Sequence, residues 1–399
     1  MATTQRDPKI KPHARVLHIM SSLEPSGMEM MLLASADQWA LHGVTCDILS
    51  TASTLGSMAP RLQKAGYSIF HAPFRSSHPH VPSLAFLRRF LRLCRERQYD
   101  VVHIHTEAGP PVYALLSRLA GVPRLALTVH NTFRFRGLLR LRKSLERRLI
   151  RLLGGRYGMV SEAVARCEQE VFHNHGTLVL NWIDPERFMP PSLEERLAAR
   201  ASLSLPPTTH VLLSVGNCNH AKNHPALLHA MAALDCPSEL LYLHVGREQQ
   251  GRPERDLATH LNQTHRVRFC GSQQDIRTYL WASDLFVMPS LHEGLAIAPL
   301  EAIASGCPVL LGRVAGLIDF EPIAAHATFV SPEALSLVSA ITRHLARPFG
   351  HARHDCIEDS AAVRSHFSPA RGVSILCETL YRMPKLAETP SNPESIAIC

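Results

Sequence analysis

The chain has 399 residues, a length that suits two domains better than one. Apolar residues make up 46% and charged residues 19% of it, which excludes a disordered chain and leaves ample material for large cores. No apolar run reaches the roughly 18–20 residues of a membrane span, and the first residues lack the apolar centre of a secretory signal. The ten cysteines form no C-x-x-C pair, so we expect reduced thiols in a cytoplasmic protein.

The formal charge of +8 is unevenly distributed along the chain. Residues 1–190 carry 25 Lys and Arg against 14 Asp and Glu, a net +11, whereas residues 191–399 carry 17 against 20, a net −3. A basic first half predicts a negatively charged partner on that side, such as a membrane surface or an acidic substrate. Nucleic acid is not expected, because aromatic residues are sparse among the arginines.

Short apolar strands alternate with stretches of helical periodicity, a pattern typical of a parallel sheet covered on both faces. In the first half, a helix is predicted from about 28 to 41 and strands at 15–20, 44–50, 67–70, 101–105, 124–130 and 158–161. Prolines interrupt the pattern near residue 190. It restarts with strands predicted at 210–216, 239–246, 266–271, 284–290 and 308–312.

The fold class predicted from this pattern is α/β, with two Rossmann-like doubly wound parallel sheets that face a cleft. The predicted domains are residues 14–188 and 189–366, followed by a C-terminal helix at 367–383, with flexible ends at 1–13 and 384–399. A ligand is expected in the cleft, at the carboxyl ends of the strands.

The most informative segment is PSLHEGLAIAPLEAIASGCPVLLG, at 289–312. Pro299 suits a first helical turn, so a helix is predicted to start between Ala296 and Pro299, with Glu293 before it and Glu301 about one turn in. The two carboxylates are then about 10 Å apart, a span that fits the two ends of a sugar nucleotide. The helix N-terminus between them favours a diphosphate, and Gly294 allows close approach. The alternative is two solvated glutamates beside an ordinary helix.

A second segment, VGNCNHAKNH at 215–224, places Lys222 between a predicted strand and a helix. The ammonium of a lysine in such a loop can meet a diphosphate as a point charge. The alternative is an ordinary surface lysine.

Together these segments resemble the retaining glycosyltransferases of family 4, which have the glycosyltransferase-B fold. The resemblance runs from Val16 to about Tyr381, and its landmarks are HIMSSLEPSGME (18–29), TVHNTF (128–133), VLNWIDPERF (179–188), VGNCNHAKNH (215–224), ASDLFVMPSLHEGLAIAPLEAIASGCPVL (282–310) and FSPARGVSILCETLY (367–381). It implies that the first domain binds the acceptor, that the second binds the nucleotide sugar, and that the last helix returns to the first domain.

The resemblance also assigns roles to single residues. Glu301 is expected to bind the ribose hydroxyls, and Glu293 the donor sugar near the reacting face. The diphosphate is expected to contact Lys222 and the backbone amides around Gly294, Leu295 and Ala296. Gly27 is expected near the donor phosphates or the acceptor, Asn217 in the donor loop, and His130 near the reacting centre or the acceptor, without a role as base.

One departure from the family concerns the loop before Lys222, where relatives commonly have an arginine. Here the loop reads Asn217, Cys218, Asn219 and His220. One cation for the leaving diphosphate is therefore missing, and Arg247 and His220 are the candidates to replace it.

No metal site and no cofactor are predicted, so the nucleotide sugar enters as a substrate. The chain contains no D-x-D triplet of the kind that holds a divalent ion in the metal-dependent glycosyltransferases. His103 and His105 alternate along a predicted strand, and without a nearby Asp or Cys pattern they are interpreted as polar residues at a strand end rather than as metal ligands.

Two basic segments, 86–98 and 134–156, have leucines at helical spacing. Such a helix can lie on an anionic membrane. Alternatively, the leucines face the sheet and the arginines are solvated. Two such helices lie in the domain that the resemblance assigns to the acceptor, and many relatives use lipid-linked acceptors, so the resemblance favours peripheral membrane association at the inner face of the membrane.

The function predicted is that of a retaining, metal-independent glycosyltransferase. It moves a sugar from a nucleotide sugar to a hydroxyl of a glycan or lipid-linked acceptor, in polysaccharide or glycolipid synthesis. The alternatives are an inactive protein that binds a sugar nucleotide or glycan, and another enzyme on the same scaffold, such as an epimerase or a phosphorylase.

Overall fold

The computed structural model describes residues 14–74, 82–235, 240–347 and 351–383. The two terminal segments for which flexibility is predicted, 1–13 and 384–399, lie outside these residues.

The first half of the chain forms a seven-stranded sheet in which every neighbouring pair is parallel, in the order β3-β2-β1-β4-β5-β6-β7. Its strands are β1 (Ala14–Met20), β2 (Val44–Ser50), β3 (Ser68–His71), β4 (Val101–Ile104), β5 (Arg124–Val129), β6 (Gly155–Met159) and β7 (Thr177–Leu178).

The second half forms a six-stranded parallel sheet in the order β10-β9-β8-β11-β12-β13. Its strands are β8 (His210–Val215), β9 (Leu240–Val245), β10 (Val267–Phe269), β11 (Leu285–Met288), β12 (Val309–Gly312) and β13 (Thr328–Val330). Two parallel sheets of this kind confirm the predicted fold class of two Rossmann-like α/β domains.

Helices connect the strands and cover both faces of each sheet. In the first half they are α1 (Gly27–Ala34), α2 (Ala36–Leu41), α3 (Ala59–Lys64), α4 (Leu84–Arg97), α5 (Pro110–Leu119), α6 (Gly137–Leu152) and α7 (Glu162–Phe172). In the second half they are α8 (Leu193–Ser202), α9 (His224–Ala233), α10 (Pro253–His260), α11 (Arg277–Ala282), α12 (Ile297–Ala304), α13 (Ala334–Leu345), α14 (His351–Asp355), α15 (Ile357–His366) and α16 (Pro369–Ile375).

The central strands are fully buried apolar runs, which is why they can be recognised from the sequence. The predictions miss the short edge strands β7 and β13 and place the start of β6 three residues late. The single helix predicted over 28–41 is two helices, α1 and α2, which meet at Ser35. The Ser35 hydroxyl donates to the carbonyls of Met31 and Leu32, and this bonding accompanies the break.

The C-terminal residues pack on the first domain. After α16, a π-helical turn over Leu376–Leu380 buries its apolar side chains among residues of the first sheet. The Tyr381 hydroxyl lies 2.7 Å from Nδ1 of His103. Beside it, a Cβ on Gly372 would fall 2.1 Å from the ring of Trp182, in the segment that links the two domains. Glycine is therefore required at 372 for the helix to reach the linker.

The two basic helices have opposite orientations. In α4 the apolar residues Phe86, Phe90 and Cys94 are buried, so the inward-facing alternative is correct there. In α6 it is wrong. The leucines of α6 form an exposed stripe, each at least 45% accessible, made of Leu138, Leu141, Leu145, Leu149 and Leu152.

The inner face of α6 is instead charged and paired. Arg147 makes two hydrogen bonds to Glu168, at 2.6 and 2.5 Å, and Lys143 lies 3.0 Å from Glu146. Pairing removes much of the cost of burying these cations, which is why the leucines do not need to face the sheet. Among the described residues, no helix is both long enough and apolar enough to cross a bilayer.

Candidate active site

A cavity of about 300 Å³ lies in the cleft between the two sheets. The first domain contributes the turn at the start of α1, and the linker contributes Arg187 and Phe188. The second domain contributes the ends of β8 and β9, residues 272–274 and the start of α12. The cavity therefore lies at the carboxyl ends of the strands, where the sequence pattern predicts a ligand.

Lys222 lines this cavity and forms an ion pair with Glu293, which, like Gly294 and Leu295, is absent from the cavity lining. Lys222 ends a 3-10 turn over His220–Lys222, and the side chain of Asn219 accepts a hydrogen bond from its N–H at 3.0 Å. Its Nζ lies 2.7 Å from Oε1 of Glu293, and the two side chains are 20% and 12% exposed. The pair joins the β8–α9 loop to the loop before α12, so Lys222 is held rather than free on the surface.

The loop before α12 is held by the first domain through its carbonyl oxygens. Thr132 donates to the carbonyl of Glu293 at 3.2 Å, Ser161 to that of Gly294 at 2.9 Å, and Asn181 to that of Leu295 at 2.7 Å. With these carbonyls bonded to the first domain, the loop leads into α12 in a fixed conformation.

Helix α12 begins at Ile297, within the predicted interval. Its N-cap, Ala296, has no capping side chain, and Ala296, Ile297 and Ala298 line the cavity. The first N–H groups of a helix have no partner within it, and with the helix dipole they favour an anion. The start of α12 is therefore a suitable place for a phosphate group.

Glu301 lies one turn into α12, where it lines the cavity and is only 6% exposed. Burial raises the pKa of its carboxyl to about 8, against the opposing effect of the nearby Arg187. A buried carboxyl at the end of a cavity is well suited to exchange hydrogen bonds with hydroxyl groups of a ligand.

Gly27 and Asn217 also line the cavity. Gly27 starts α1 opposite the start of α12, and a Cβ on it would be 2.7 Å from the side chain of Ile297. The side-chain oxygen of Asn217 accepts a hydrogen bond from the N–H of Arg247 at 2.8 Å, so Asn217 connects the two loops that follow β8 and β9.

The His130 ring does not line this cavity. It lines a smaller, mostly apolar one in the first domain, together with His18, His103 and His105. Nε2 of His130 lies 3.4 Å from His105, which is 3.0 Å from His18. Burial lowers the pKa of His130 to about 4, so its imidazole is neutral above about pH 5.

The sequence analysis missed Arg187. It lines the cavity, lies close enough to Glu301 to affect its pKa, and forms a 3.1 Å ion pair with Asp275. Arg247 and His220 are exposed and are absent from the cavity lining. Arg187 is therefore the second cation at the site among the described residues. Its position within the VLNWIDPERF landmark is the one sequence signal that could have indicated it.

Two groups of side chains have metal-ligating atoms within 4.8 Å of one another among the described residues. One is His18, His103 and His105, and the other is Cys218, His224 and His244. The second group cannot be recognised in the sequence, because its members are spread over a loop, a helix and a strand.

The two halves of the chain match two family profiles. The profile described as Glycosyltransferase Family 4 matches residues 25–187, and the one described as Glycosyl transferases group 1 matches residues 195–362. The fold and the cleft thus define a glycosyltransferase of two facing Rossmann-like domains.

Individual relatives agree with this assignment. EpsF of Bacillus subtilis strain 168, which is named as a glycosyltransferase, is 29% identical over 347 residues, 79% of this chain and 87% of its own. The UDP-Gal:alpha-D-GlcNAc-diphosphoundecaprenol alpha-1,3-galactosyltransferase of Escherichia coli is 24% identical over 331 residues, 77% of this chain and 80% of its own.

The crystal structure of Anabaena HepE in complex with UDP-glucose is similar to this structure, with a TM-score of 0.76. The two share 18% identity, the match covers 93% of this chain and 100% of that one, and it shows the shared fold.

Because the two family profiles together cover most of the chain, it belongs to the family 4 glycosyltransferases with the glycosyltransferase-B fold.

Proposed function

We propose that this protein transfers a sugar from a UDP-sugar to a hydroxyl of a lipid-linked acceptor, with retention of the anomeric configuration and without a catalytic metal ion. The observation that carries the proposal is the arrangement around one cavity of the Lys222–Glu293 pair, the open start of α12 and the buried Glu301.

The donor site follows from these groups. The ribose hydroxyls bind Glu301, and the diphosphate lies at the start of α12 beside Lys222 and Arg187. When the anomeric C–O bond breaks, negative charge develops on the diphosphate, and the two cations and the helix N-terminus are already directed at it. HepE, which shares the fold, is described in complex with UDP-glucose, and this supports a uridine donor.

Retention follows if the acceptor attacks from the face that the diphosphate leaves. The departing phosphate oxygen then takes the proton of the acceptor hydroxyl, so no protein base is needed. Two cations compensate the developing charge, which is the task of a divalent ion in metal-dependent enzymes. The nucleotide sugar is then the only small molecule that the reaction requires besides the acceptor.

Arg187 also weighs against the inactive binding protein. The support for that alternative is the arginine missing from the loop before Lys222, and Arg187 supplies a cation at the same cavity from the linker instead.

The acceptor side of the proposal rests on α6. Its exposed leucine stripe is accompanied by four exposed cations, Arg140, Arg142, Arg148 and Arg151, whereas Lys143 and Arg147 are buried and paired. Such a helix binds an anionic bilayer through buried leucines and through roughly 1 kcal/mol per well-placed cation. The E. coli relative is named for an acceptor carried on diphosphoundecaprenol. We therefore propose a lipid-linked acceptor and a peripheral position on the inner face of the membrane.

The activity is tested by incubating the full chain with a panel of UDP-, GDP- and ADP-sugars, lipid-linked acceptors and EDTA. Formation of UDP together with a glycosylated acceptor of retained configuration is expected. Lys222→Ala and Glu293→Ala should each lower kcat/KM at least about 100-fold. The exposed Arg313–Glu321 pair offers the matched controls Arg313→Ala and Glu321→Ala.

Other products would contradict the proposal. Sugar-1-phosphate formed from orthophosphate indicates a phosphorylase, and an altered donor without an acceptor indicates an epimerase. Donor binding without turnover over the whole acceptor panel indicates a binding protein.

The membrane surface is tested by co-sedimentation with vesicles of neutral lipid alone and with added anionic lipid. Binding is expected only to the anionic vesicles, and replacing both Leu141 and Leu145 with Ser should weaken it at least about tenfold. The paired control is replacement of the exposed Leu193 and Leu335 in the second domain. If the double substitution instead dissociates a dimer and leaves vesicle binding unchanged, the leucine stripe of α6 is an interface between two copies of the chain.

A further inference from the structure

A second cluster of chemically active side chains lies beside the donor cavity, in the interior of the second domain. Cys218 follows β8, His224 starts α9, His244 lies on β9 and Glu254 lies in the first turn of α10. All four residues are at most 5% exposed. None of them has a place in the transfer reaction proposed above.

The atoms of this cluster have the spacing of metal ligands. Cys218, His224 and His244 each offer one ligand atom within 4.8 Å of those of the other two. Sγ of Cys218 lies 3.5 Å from Nε2 of His244, which is also 3.0 Å from the carbonyl oxygen of Gly216, whereas Nδ1 of His244 has no partner. Two ligands of a tetrahedral zinc ion, one sulfur and one nitrogen, are about 3.6 Å apart for Zn–S near 2.3 Å and Zn–N near 2.1 Å. The ligand set has three members, and the buried carboxylate of Glu254 lies beside it, close enough to add to the effect of burial in raising the pKa of the Cys218 thiol.

Several polar atoms of the cluster are unpartnered. Within the described residues, Nε2 of His224 and Oε2 of Glu254 are buried without a hydrogen-bond partner. A buried polar atom without a partner costs about 1–3 kcal/mol, and two within one cluster indicate that something else satisfies them. A cation does so, and a thiolate with a carboxylate would balance its two charges.

The histidine cluster of the first domain is a poorer candidate. Both ring nitrogens of His103 are already within 2.7 Å of hydroxyl oxygens, those of Tyr381 and Thr128. His18 is 3.0 Å from His105. These three rings provide no thiolate or carboxylate to balance a divalent charge.

We propose that Cys218, His224 and His244 bind one zinc ion, with the carboxylate of Glu254 beside it. Binding replaces the thiol proton of Cys218, which is released to solvent, and leaves the oxidation state of every group unchanged. Because Cys218 and His224 lie on either side of Lys222 in the sequence, the ion ties both ends of the β8–α9 loop to β9. The site is structural, and the proposal does not depend on the transfer reaction.

The test measures zinc in the full chain, purified without chelator, supplied with one equivalent of Zn²⁺ and desalted. About one zinc ion per chain is expected by elemental analysis. Cys218→Ser and His224→Asn should each reduce it at least about tenfold. His229→Asn, an exposed residue of the same helix, and Cys307→Ser, another buried cysteine, should leave it unchanged.

Three results would overturn the proposal. The wild type could contain no zinc, or Cys218→Ser could retain all of it. In the third, His105→Asn would lose zinc while Cys218→Ser keeps it. If the Cys218 and His224 variants fail to fold, the wild type decides by itself. Its Co²⁺ form should show a thiolate-to-cobalt charge-transfer band, and cobalt bound without that band excludes the site.

Discussion

Gly294 lies directly against His130 across the cleft. A Cβ on Gly294 would be 1.9 Å from the carbonyl oxygen of His130, closer than any real contact. The sequence analysis expects Gly294 to allow close approach to a diphosphate, whereas the close approach in the structure is to the backbone of the other domain.

Gly294→Ala is therefore expected to force the two domains apart. Displacing reacting groups by about 1 Å costs about 100-fold in rate, so kcat/KM should fall by at least that factor. The measurement is steady-state kinetics with a UDP-sugar. Gly251→Ala is the control, because nothing lies within 4 Å of its Cβ position and only backbone strain is added. Wild-type kinetics for Gly294→Ala would show that the contact is not needed for catalysis.

Arg187→Ala should raise KM for the UDP-sugar and lower kcat, because the diphosphate loses one of its two cations. A reduction in kcat/KM of about 10- to 100-fold is expected. Arg277→Ala is a close control. Arg277 also pairs with Asp275, at 2.7 Å, but is absent from the cavity lining. Equal effects of the two substitutions would mean that Arg187 acts only through Asp275.

Glu301→Gln should change the pH dependence of stability. Burial raises the pKa of Glu301 to about 8 from its ordinary value of 4.5, so between these pH values the folded state holds a proton that the unfolded state has released. Raising the pH therefore destabilises the wild type through this group, by at most about 1.4 kcal/mol per pH unit. Measured by urea unfolding, the stability of Glu301→Gln relative to wild type should rise from pH 5 to pH 8. The variant should also bind UDP more weakly than the wild type does. A constant difference would contradict the burial of a protonated carboxyl.

His130→Asn should make the protein less sensitive to acid. Burial lowers the pKa of His130 to about 4 from its ordinary value of 6.5, so between these pH values the unfolded state binds a proton that the folded state excludes. The stability contributed by the neutral ring is present above about pH 6.5 and is lost as the pH falls. The slope of unfolding free energy from pH 6.5 to 4 should decrease by up to about 1.4 kcal/mol per unit. An unchanged slope would place the ring in contact with water.

Tyr381→Phe tests the docking of the C-terminal segment. The variant leaves Nδ1 of His103 without its 2.7 Å partner in a fully buried environment. A loss of about 1–3 kcal/mol in the free energy of unfolding is expected. Thr379→Ser is a control in the same turn. No loss of stability would indicate that the segment contributes little to the first domain.

Much of this protein could be predicted from the sequence because the relevant signals are local. The buried parallel strands are continuous apolar runs, so most of them are located within a residue or two. The start of α12 follows from Pro299, which suits the first turn of a helix. Lys222 is a loop residue between a strand and a helix in both the prediction and the structure.

Other features were decided only by contacts between distant residues. The leucines of α6 have the same periodicity whether they face inward or outward, and Glu168, 21 residues from Arg147, decides that the charged face is buried. Arg187 reaches the cavity because it lies in the segment that links the two domains, and that segment forms part of the cavity lining. The ring of His130 lines a cavity of the first domain and not the donor cavity, although its backbone lies against Gly294. Helical and strand periodicity are set by the backbone, but the face that an element buries, and the side chains that meet across a cleft, depend on which partners the tertiary fold supplies.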